Sequence, residues 1–377
     1  MTSPVIVAAL RSPVGTAGHS LAGVDAVRLA APVLAAVVDA VEVSPHDLHE
    51  VVLGNCMGPG GDVARVAALT AGLPVTVPAL TVDRQCGSGL AAITVAASLL
   101  GDEAGAVLAG GVESASTAPW RFWPPAHEAG PERYERAPFA PAELGDPDMG
   151  LAADQLAEEQ GVSRARQDDY AARSHARALT TAASGGFEAE LVTVAGVRRD
   201  ERPRPGLTAE RLSRLPPAFR VGGTVTAGNS CGISDGAAAV LLVDAATQRR
   251  LDLPGLRVVA TASTGVDPNR PGAGIVPAVR LVLERAGLAL DDMDVVELNE
   301  AFAGQVLACC DALRLDPERV CVEGGALALG HPWGASGAVL VVRLFSQLVR
   351  AGTGRYGLAA IAVGGGQGVA MVVERCR

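Results

Sequence analysis

Three residues of this chain have types and surroundings that together suit acyl transfer. Cys86 lies in TVDRQCGSGLAAITVAASLL, where glycines at 87 and 89 permit a tight strand-to-helix turn and close approach of a ligand. A thiol at a helix N-terminus is expected to have a lowered pKa, and its thiolate is the nucleophile. Taken alone, a single cysteine more often packs as a small hydrophobe. His331 stands between Gly330 and Pro332 in EGGALALGHPWGASG, which is no ordinary helix-face position, although a turn-stabilising role fits that place as well. Asn299 and Glu300, in VELNEAFAGQ, follow an apolar strand and precede a helical stretch. Cys, His and Asn, each at a strand end, make a set suited to acyl transfer through a thioester.

Composition narrows the alternatives. The chain has 377 residues, about half of them apolar, enough for two domains or one large two-lobed unit. There is no lysine: all 31 basic residues are arginine. Schiff-base and pyridoxal-phosphate chemistry are therefore excluded, as is a Walker-type phosphate loop. A net charge of −10 without a basic stripe argues against nucleic acid as the partner. No apolar run reaches the roughly 18–20 residues that span a bilayer, and the N-terminal MTSPVIVAALRSP does not read as a signal peptide. The seven cysteines are scattered without a CxxC pair, so no disulfide framework or zinc site is indicated. The expected location is the cytoplasm, with no membrane association and no metal.

The elements that must position these residues alternate. Val5–Leu10, Glu50–Leu53, Ala106–Ala109, Ala238–Val243, Leu256–Ala262 and Leu358–Val363 read as buried strands. Asp25–Ala40, Gly89–Leu100, Ile275–Ala286 and Ala335–Arg350 read as helices. The pattern is that of an α/β protein. Two stretches resemble each other. Cys86-Gly-Ser-Gly opens a helix that precedes a strand ending in Gly110-Gly111, and Gly334-Ala-Ser-Gly opens a helix that precedes a strand ending in Gly364-Gly365-Gly366. Two related halves facing one another are expected. Between Pro119 and Arg220 lie eight of the twelve aromatics and an arginine- and proline-rich run, RRDERPRPG. This segment reads as an insertion acting as a lid or binding domain, or as a surface excursion with a small core of its own.

Several long motifs in order extend the match to a family. Cys86-Gly-Ser-Gly, AGGVES at 109–114, TAGNSCGISDGAAA at 226–239, NEAFA at 299–303, GGALALGHPWGASGA at 324–338 and GGGQG at 364–368 resemble the thiolases, the acyl-CoA C-acyltransferases, over essentially the whole chain. The resemblance implies the thiolase fold: two βαβ-type halves forming a layered αβαβα core, plus an inserted loop domain that holds coenzyme A. It divides the chain into residues 1–118, completed by about 221–250, an insertion at 119–220, and a second half at 251–377. It implies that Cys86 takes the acyl group and that His331 accepts the thiol proton. His331, with a water held by Asn299, would also stabilise the thioester oxygen. A second oxyanion hole would use the backbone N–H groups of Cys86 and Gly364. Met149, Cys231, Ser234 and Phe302 fall at positions implied to contact substrate or CoA. The implied substrates are acyl-CoA and CoA, with no other cofactor, and the implied assembly is a homodimer or homotetramer.

The match departs at one chemically important place. Thiolases carry a second cysteine two residues before the triple glycine, where it moves the proton of the second substrate's α-carbon. Here that position is Ala362, and no cysteine occurs between Cys321 and Cys376. Cys376 is expected beyond the final strand, exposed and unable to substitute. Losing such an acid–base group costs about 10²–10⁴ in rate. Smaller departures are Asp83 and Glu323, each where Asn is usual, Cys231 where a serine often contacts the pantetheine arm, and Asp148 where some members carry His. Three readings follow. One is a thiolase that cleaves 3-ketoacyl-CoA or condenses acyl-CoAs, weakened in carbon–carbon chemistry. Another is an acyltransferase passing an acyl group from Cys86 to a non-CoA acceptor. The last is a non-catalytic CoA-thioester-binding subunit.

Overall fold

The computed structural model describes residues 4–100, 105–125 and 130–376. The first half runs β1 (Val5–Arg11), the short β2 (Gly15–Thr16), α1 (Ala26–Asp39), β3 (Leu48–Gly54), α2 (Val63–Thr70), β4 (Ala79–Val82), α3 (Ser88–Leu100) and β5 (Ala106–Ser114). The middle holds a hairpin of β6 (Arg121–Trp123) and β7 (Glu132–Tyr134), then α4 (Met149–Glu159), α5 (Arg164–Ala183) and the short α6 (Ala209–Leu212). The chain then returns to the first half through β8 (Ser234–Val243) and α7 (Ala245–Arg250). The second half comprises β9 (Gly255–Gly265), α8 (Ile275–Ala286), β10 (Val295–Leu298), α9 (Ala303–Leu313), the short α10 (Ala326–Leu329), α11 (Trp333–Phe345), β11 (Tyr356–Val363) and β12 (Gln367–Cys376).

The strands pair in the order β10-β11-β12-β9-β1-β8-β5-β3-β4, with β2 against β8. In each half a parallel pair, β3–β5 or β10–β11, is followed by two antiparallel strands. The halves join edge to edge where β1 meets β9 through Val5↔Arg257 and Ile6↔Leu256. The all-apolar runs predicted as buried strands are buried on both faces because helices cover both. α3 and α11 fill the middle layer, where Leu90, Ile93, Val341 and Leu344 pack between the two halves. α1 and α2 cover the outer face of the first half, and α8 and α9 that of the second. The result is the αβαβα layering.

The described residues of the insertion share their cores with the second half, Ala178 and Phe187 packing on Ala328 and Leu329 of α10. Leu156, Tyr170, Ala171 and Leu212 join the outer core of the second half, beside α8 and α9. That packing carries the start of α4 across to the active face.

Three details differ from the sequence expectation. β5 does not end at Gly110-Gly111 but continues to Ser114, since β8 pairs with it along its whole length. α11 begins at Trp333, just after Pro332, and gives way to a wider turn at Ser346–Arg350. Cys376 is not beyond the last strand: it closes β12, pairs with Gly255 and is half-buried. The Glu374-Arg375 pair suggests a strand end, but Arg257 and Arg355 hold the Glu374 carboxylate and β12 runs on past it.

Candidate active site

Cys86 sits on a strained elbow. A tight turn, Gln85–Gly87, separates β4 from α3, and Gln85 has φ +44°, a conformation that non-glycine residues rarely adopt. Side chains on both flanks hold the turn. The Asp83 carboxylate accepts the Gln85 N–H at 2.8 Å, and the Ser88 hydroxyl accepts the Arg84 N–H at 2.8 Å while donating to the Gln85 carbonyl at 2.6 Å. Asp83 uses an oxygen that asparagine also possesses, so this departure leaves the elbow intact.

The elbow does not lower the Cys86 pKa as a helix N-terminus would. Burial pushes it up, to about 11, against the opposing effect of the backbone N–H groups of Gly364 and Cys86, which reach the thiol. The Gln85–Gly87 turn runs directly into α3, but desolvation outweighs the short-range field of the helix end. The resting group is therefore a thiol. Glu113 and Asp83 add smaller upward pushes.

His331 enters from the opposite half. Its backbone N–H donates to the Gly232 carbonyl at 3.1 Å and to the Ser234 hydroxyl at 3.1 Å. Its Nδ1 lies 2.5 Å from the Ser336 hydroxyl, which is 3.0 Å from the Pro332 carbonyl. With the hydroxyl proton assigned to that carbonyl, Nδ1–H donates to the serine oxygen. Nε2 is left as a lone pair, 3.4 Å from the Asn299 amide nitrogen. Burial lowers the His331 pKa to about 4, which keeps the ring neutral and able to accept a proton.

The triple glycine is demanded by close packing. A Cβ on Gly364 would meet the Phe139 ring at 2.7 Å, while Gly365 and Gly366 have φ +81° and +79°. Phe139 thus presses the loop from the insertion side and leaves the Gly364 N–H facing Cys86.

These residues surround one cavity of about 110 Å³, lined by Cys86, Cys231, His331, Ala362 and Gly364, with Met149 and Phe302 among its walls. Ala153 of α4 and Gly272 add to the walls without polar side chains. Asn299 is buried behind it, on His331. Ser234 does not line the cavity: it is buried on the far side of His331 and fixes that residue's backbone. Asp148 caps α4 by accepting the Gly150 N–H at 2.9 Å, and Glu323 pairs with Arg343. Among the described residues no group of three His, Cys, Asp or Glu could hold a metal ion, and no helix is long and apolar enough to cross a membrane.

Several site residues were not singled out in the sequence. Ser336 sets the His331 tautomer from one turn along α11. Trp333 and Gln305 line the cavity. Glu113 is buried and accepts from Asn55 Nδ2 at 3.0 Å, from the Met57 N–H at 3.1 Å and from the Gly334 N–H at 3.0 Å, with the Cys56 thiol donating at 2.8 Å. It therefore ties the start of α11 to the first half. Burial raises the pKa of both Glu113 and Cys56. Glu113 and Ser336 do lie inside the quoted motifs AGGVES and GGALALGHPWGASGA, the one signal that could have found them.

A layered α/β fold with a thiol and a neutral imidazole in one apolar cavity defines an acyltransferase class of enzyme. The comparisons with known proteins agree. Residues 4–246 match the thiolase N-terminal domain and residues 254–375 the thiolase C-terminal domain. The acetyl-CoA acetyltransferase of Pseudomonas aeruginosa is 42% identical over 395 residues, covering 100% of both chains. The crystal structure of the Bacillus anthracis acetyl-CoA acetyltransferase superimposes with a TM-score of 0.92 at 40% identity, covering 100% of this chain and 99% of that one. Human mitochondrial 3-ketoacyl-CoA thiolase superimposes with a TM-score of 0.93 at 36% identity, with the same coverage. The chain belongs to the thiolase family.

Proposed function

We propose that this acyltransferase works on CoA thioesters through an acyl group held on Cys86, either cleaving a 3-ketoacyl-CoA with free CoA or condensing two acyl-CoAs. The observation that carries this reading is the convergence on one cavity of the Cys86 thiol, the Nε2 lone pair of His331 and the N–H groups of Gly364 and Cys86. As the thioester carbonyl carbon bonds to Cys86 sulfur, Nε2 takes the thiol proton. A thiol near pKa 11 and an imidazole near 4 do not form a resting ion pair, so proton transfer accompanies attack. The thioester oxygen gains charge beside preorganised donors in a dry site. The CoA thiolate then leaves with the proton from His331. Met149 and Phe302 shape the acyl pocket, and the arginine-rich insertion supplies cations for CoA phosphates. Assembly as a homodimer or homotetramer is part of the same reading, which light scattering tests directly.

Intact-protein mass spectrometry after incubation with a panel of acyl-CoAs tests the central step. The expected result is one acyl adduct, mapped to Cys86 and removed by free CoA. Absence of an adduct with every acyl-CoA, despite CoA binding, would favour a binding subunit. An adduct that free CoA fails to discharge would favour transfer to another acceptor.

A further inference from the structure

Carbon–carbon chemistry in this cavity requires a group that moves a proton at the α-carbon of the second thioester. During that step Cys86 carries the acyl group and has no proton to exchange. Position 362 offers only a methyl group, although Ala362 does line the cavity. Among the described residues that line the cavity the only titratable ones are Cys86, His331 and Cys231, with no carboxylate, tyrosine or arginine.

Cys231 is held at the site from both sides. Its N–H donates to the Ala301 carbonyl at 2.9 Å, and Ser230 bridges to Phe302. The next residue, Gly232, offers the carbonyl that accepts the His331 N–H at 3.1 Å. The thiol-bearing segment is thus a strap laid between the Asn299–Phe302 loop and the His331 turn, rigidly registered to both. Beneath the strap lies Arg202. Its guanidinium donates to the Leu327 and Ser230 carbonyls and makes no ion pair with any described carboxylate. A Cβ on Gly232 would come within 2.1 Å of Arg202 Nη1, so the cation abuts the strap directly. This cation opposes, without overcoming, the burial that leaves the Cys231 pKa at about 12.

We propose that Cys231 is the acid–base thiol of the carbon–carbon step, serving from the opposite wall in place of a cysteine at position 362. This rests on the acyl-Cys86 reading above. In thiolysis, Cys86 sulfur bonds to the 3-keto carbon and the bond between that carbon and the α-carbon breaks. The electron pair stays on the α-carbon and takes the proton of the Cys231 thiol, releasing the shortened CoA thioester. Free CoA then attacks acyl-Cys86, its thiol proton passing to the Cys231 thiolate, while the displaced Cys86 sulfur takes back the proton that His331 accepted. In condensation the same steps run backwards, with the Cys231 thiolate removing the α-proton. No oxidant or further reactant is needed. Burial keeps Cys231 in the protonated form that thiolysis requires of the resting enzyme.

The decisive experiment follows deuterium entering the methyl group of acetyl-CoA in D₂O, with Cys86 acetylation measured in parallel by intact mass. Wild-type enzyme exchanges the α-protons. Cys231→Ala is expected to slow exchange, thiolysis and condensation by about 10²–10⁴ while leaving Cys86 acetylation within about threefold. Cys231→Ser, which preserves size and hydrogen bonding but is a far weaker acid, should fall between the two. Adding Ala362→Cys to Cys231→Ala should restore exchange at least about tenfold. The proposal is overturned if Cys231→Ala still exchanges within about threefold of wild type, or if it loses acetylation and exchange together, the mark of a merely structural residue. A wild-type enzyme that acetylates Cys86 but neither exchanges nor condenses overturns it too and leaves acyl transfer standing. No acetylation of Cys86 at all would instead remove the reading on which it rests.

Discussion

The two halves of the molecule repeat one plan and spend it differently. Each places a helix of the middle layer, α3 or α11, ahead of the second strand of a parallel pair, β5 or β11. In the first half, β5 runs straight through Gly110-Gly111 to Glu113 and Ser114, and residues 115–233 intervene before the next strand of the main sheet, β8. In the second half, β11 stops at Val363 and only Gly364–Gly366 intervene. The long connection holds α4, which walls the cavity through Met149, Ala152 and Ala153. The short one became a bare turn whose N–H faces the nucleophile. The lesson is that a repeated unit is put to different uses: one copy contributes the α4 wall and a thiol, the other a base, a backbone donor and the remaining walls.

That division can be broken from either side. Cys86→Ser should reduce acyl loading to background, and His331→Ala should slow it by about 10²–10⁴, both read by rapid quench and intact mass. Equal residual rates in the two variants would mean that the nucleophile and base are not divided between halves as described. The middle-layer contact is next. A Cβ on Gly337 would lie 2.4 Å from the Leu90 backbone nitrogen, so Gly337→Ala must push α11 from α3. The expected cost is about 1–3 kcal/mol in thermal or denaturant unfolding, with acyl loading falling further than stability alone predicts. Ser336→Ala frees the Nδ1 proton and releases the tautomer. It should cost about 1 kcal/mol of transition-state stabilisation, seen in kcat/KM for acyl loading with little change in melting temperature.

A pH-dependent effect compares the strands that precede the two asparagines. β3 enters Asn55 through Val51-Val52-Leu53-Gly54, wholly apolar, whereas β10 enters Asn299 with Glu297 buried in its middle. Burial raises the Glu297 carboxyl to about 7, with Arg343 and a 2.7 Å hydrogen bond from Gln347 opposing it. The folded state then holds a proton that the unfolded chain releases near pH 4.5, so stability declines as pH rises from there to about 7. Glu297→Gln should flatten that slope, which amounts to no more than about 3 kcal/mol across the window. Unfolding followed at pH 5 and pH 7.5 checks it; an unchanged slope would place the titration elsewhere.

What the sequence made legible was local. Cys86, His331 and Asn299 sit in short motifs whose glycines and prolines announce a turn, and the apolar runs and helices were readable to within a few residues. Features set by partners distant in sequence were not. The continuation of β5 depends on β8, and Cys376 joins a strand only because β9 offers it a partner. Ser234 was implied as a substrate contact by the family resemblance, yet it sits behind His331, whose N–H its hydroxyl accepts. The Cys86 pKa failed for a reason of magnitude: the local helix-end effect was visible and the larger burial was not. Cys231 stood in the sequence as a conservative departure, and only the emptiness of the wall around it makes its thiol stand out.

Gly89 and Gly337 face each other's helices so closely that backbone rests on backbone, Gly89 on Gly334 and Ala338, Gly337 on Leu90. The spacing between the nucleophile's helix and the base's helix is therefore gauged by peptide planes, which have one thickness, and not by side chains, which have many. Repacking the outer layers of such an enzyme should leave its catalytic distances untouched, so substrate preference could drift widely across this fold while the reacting atoms keep their places.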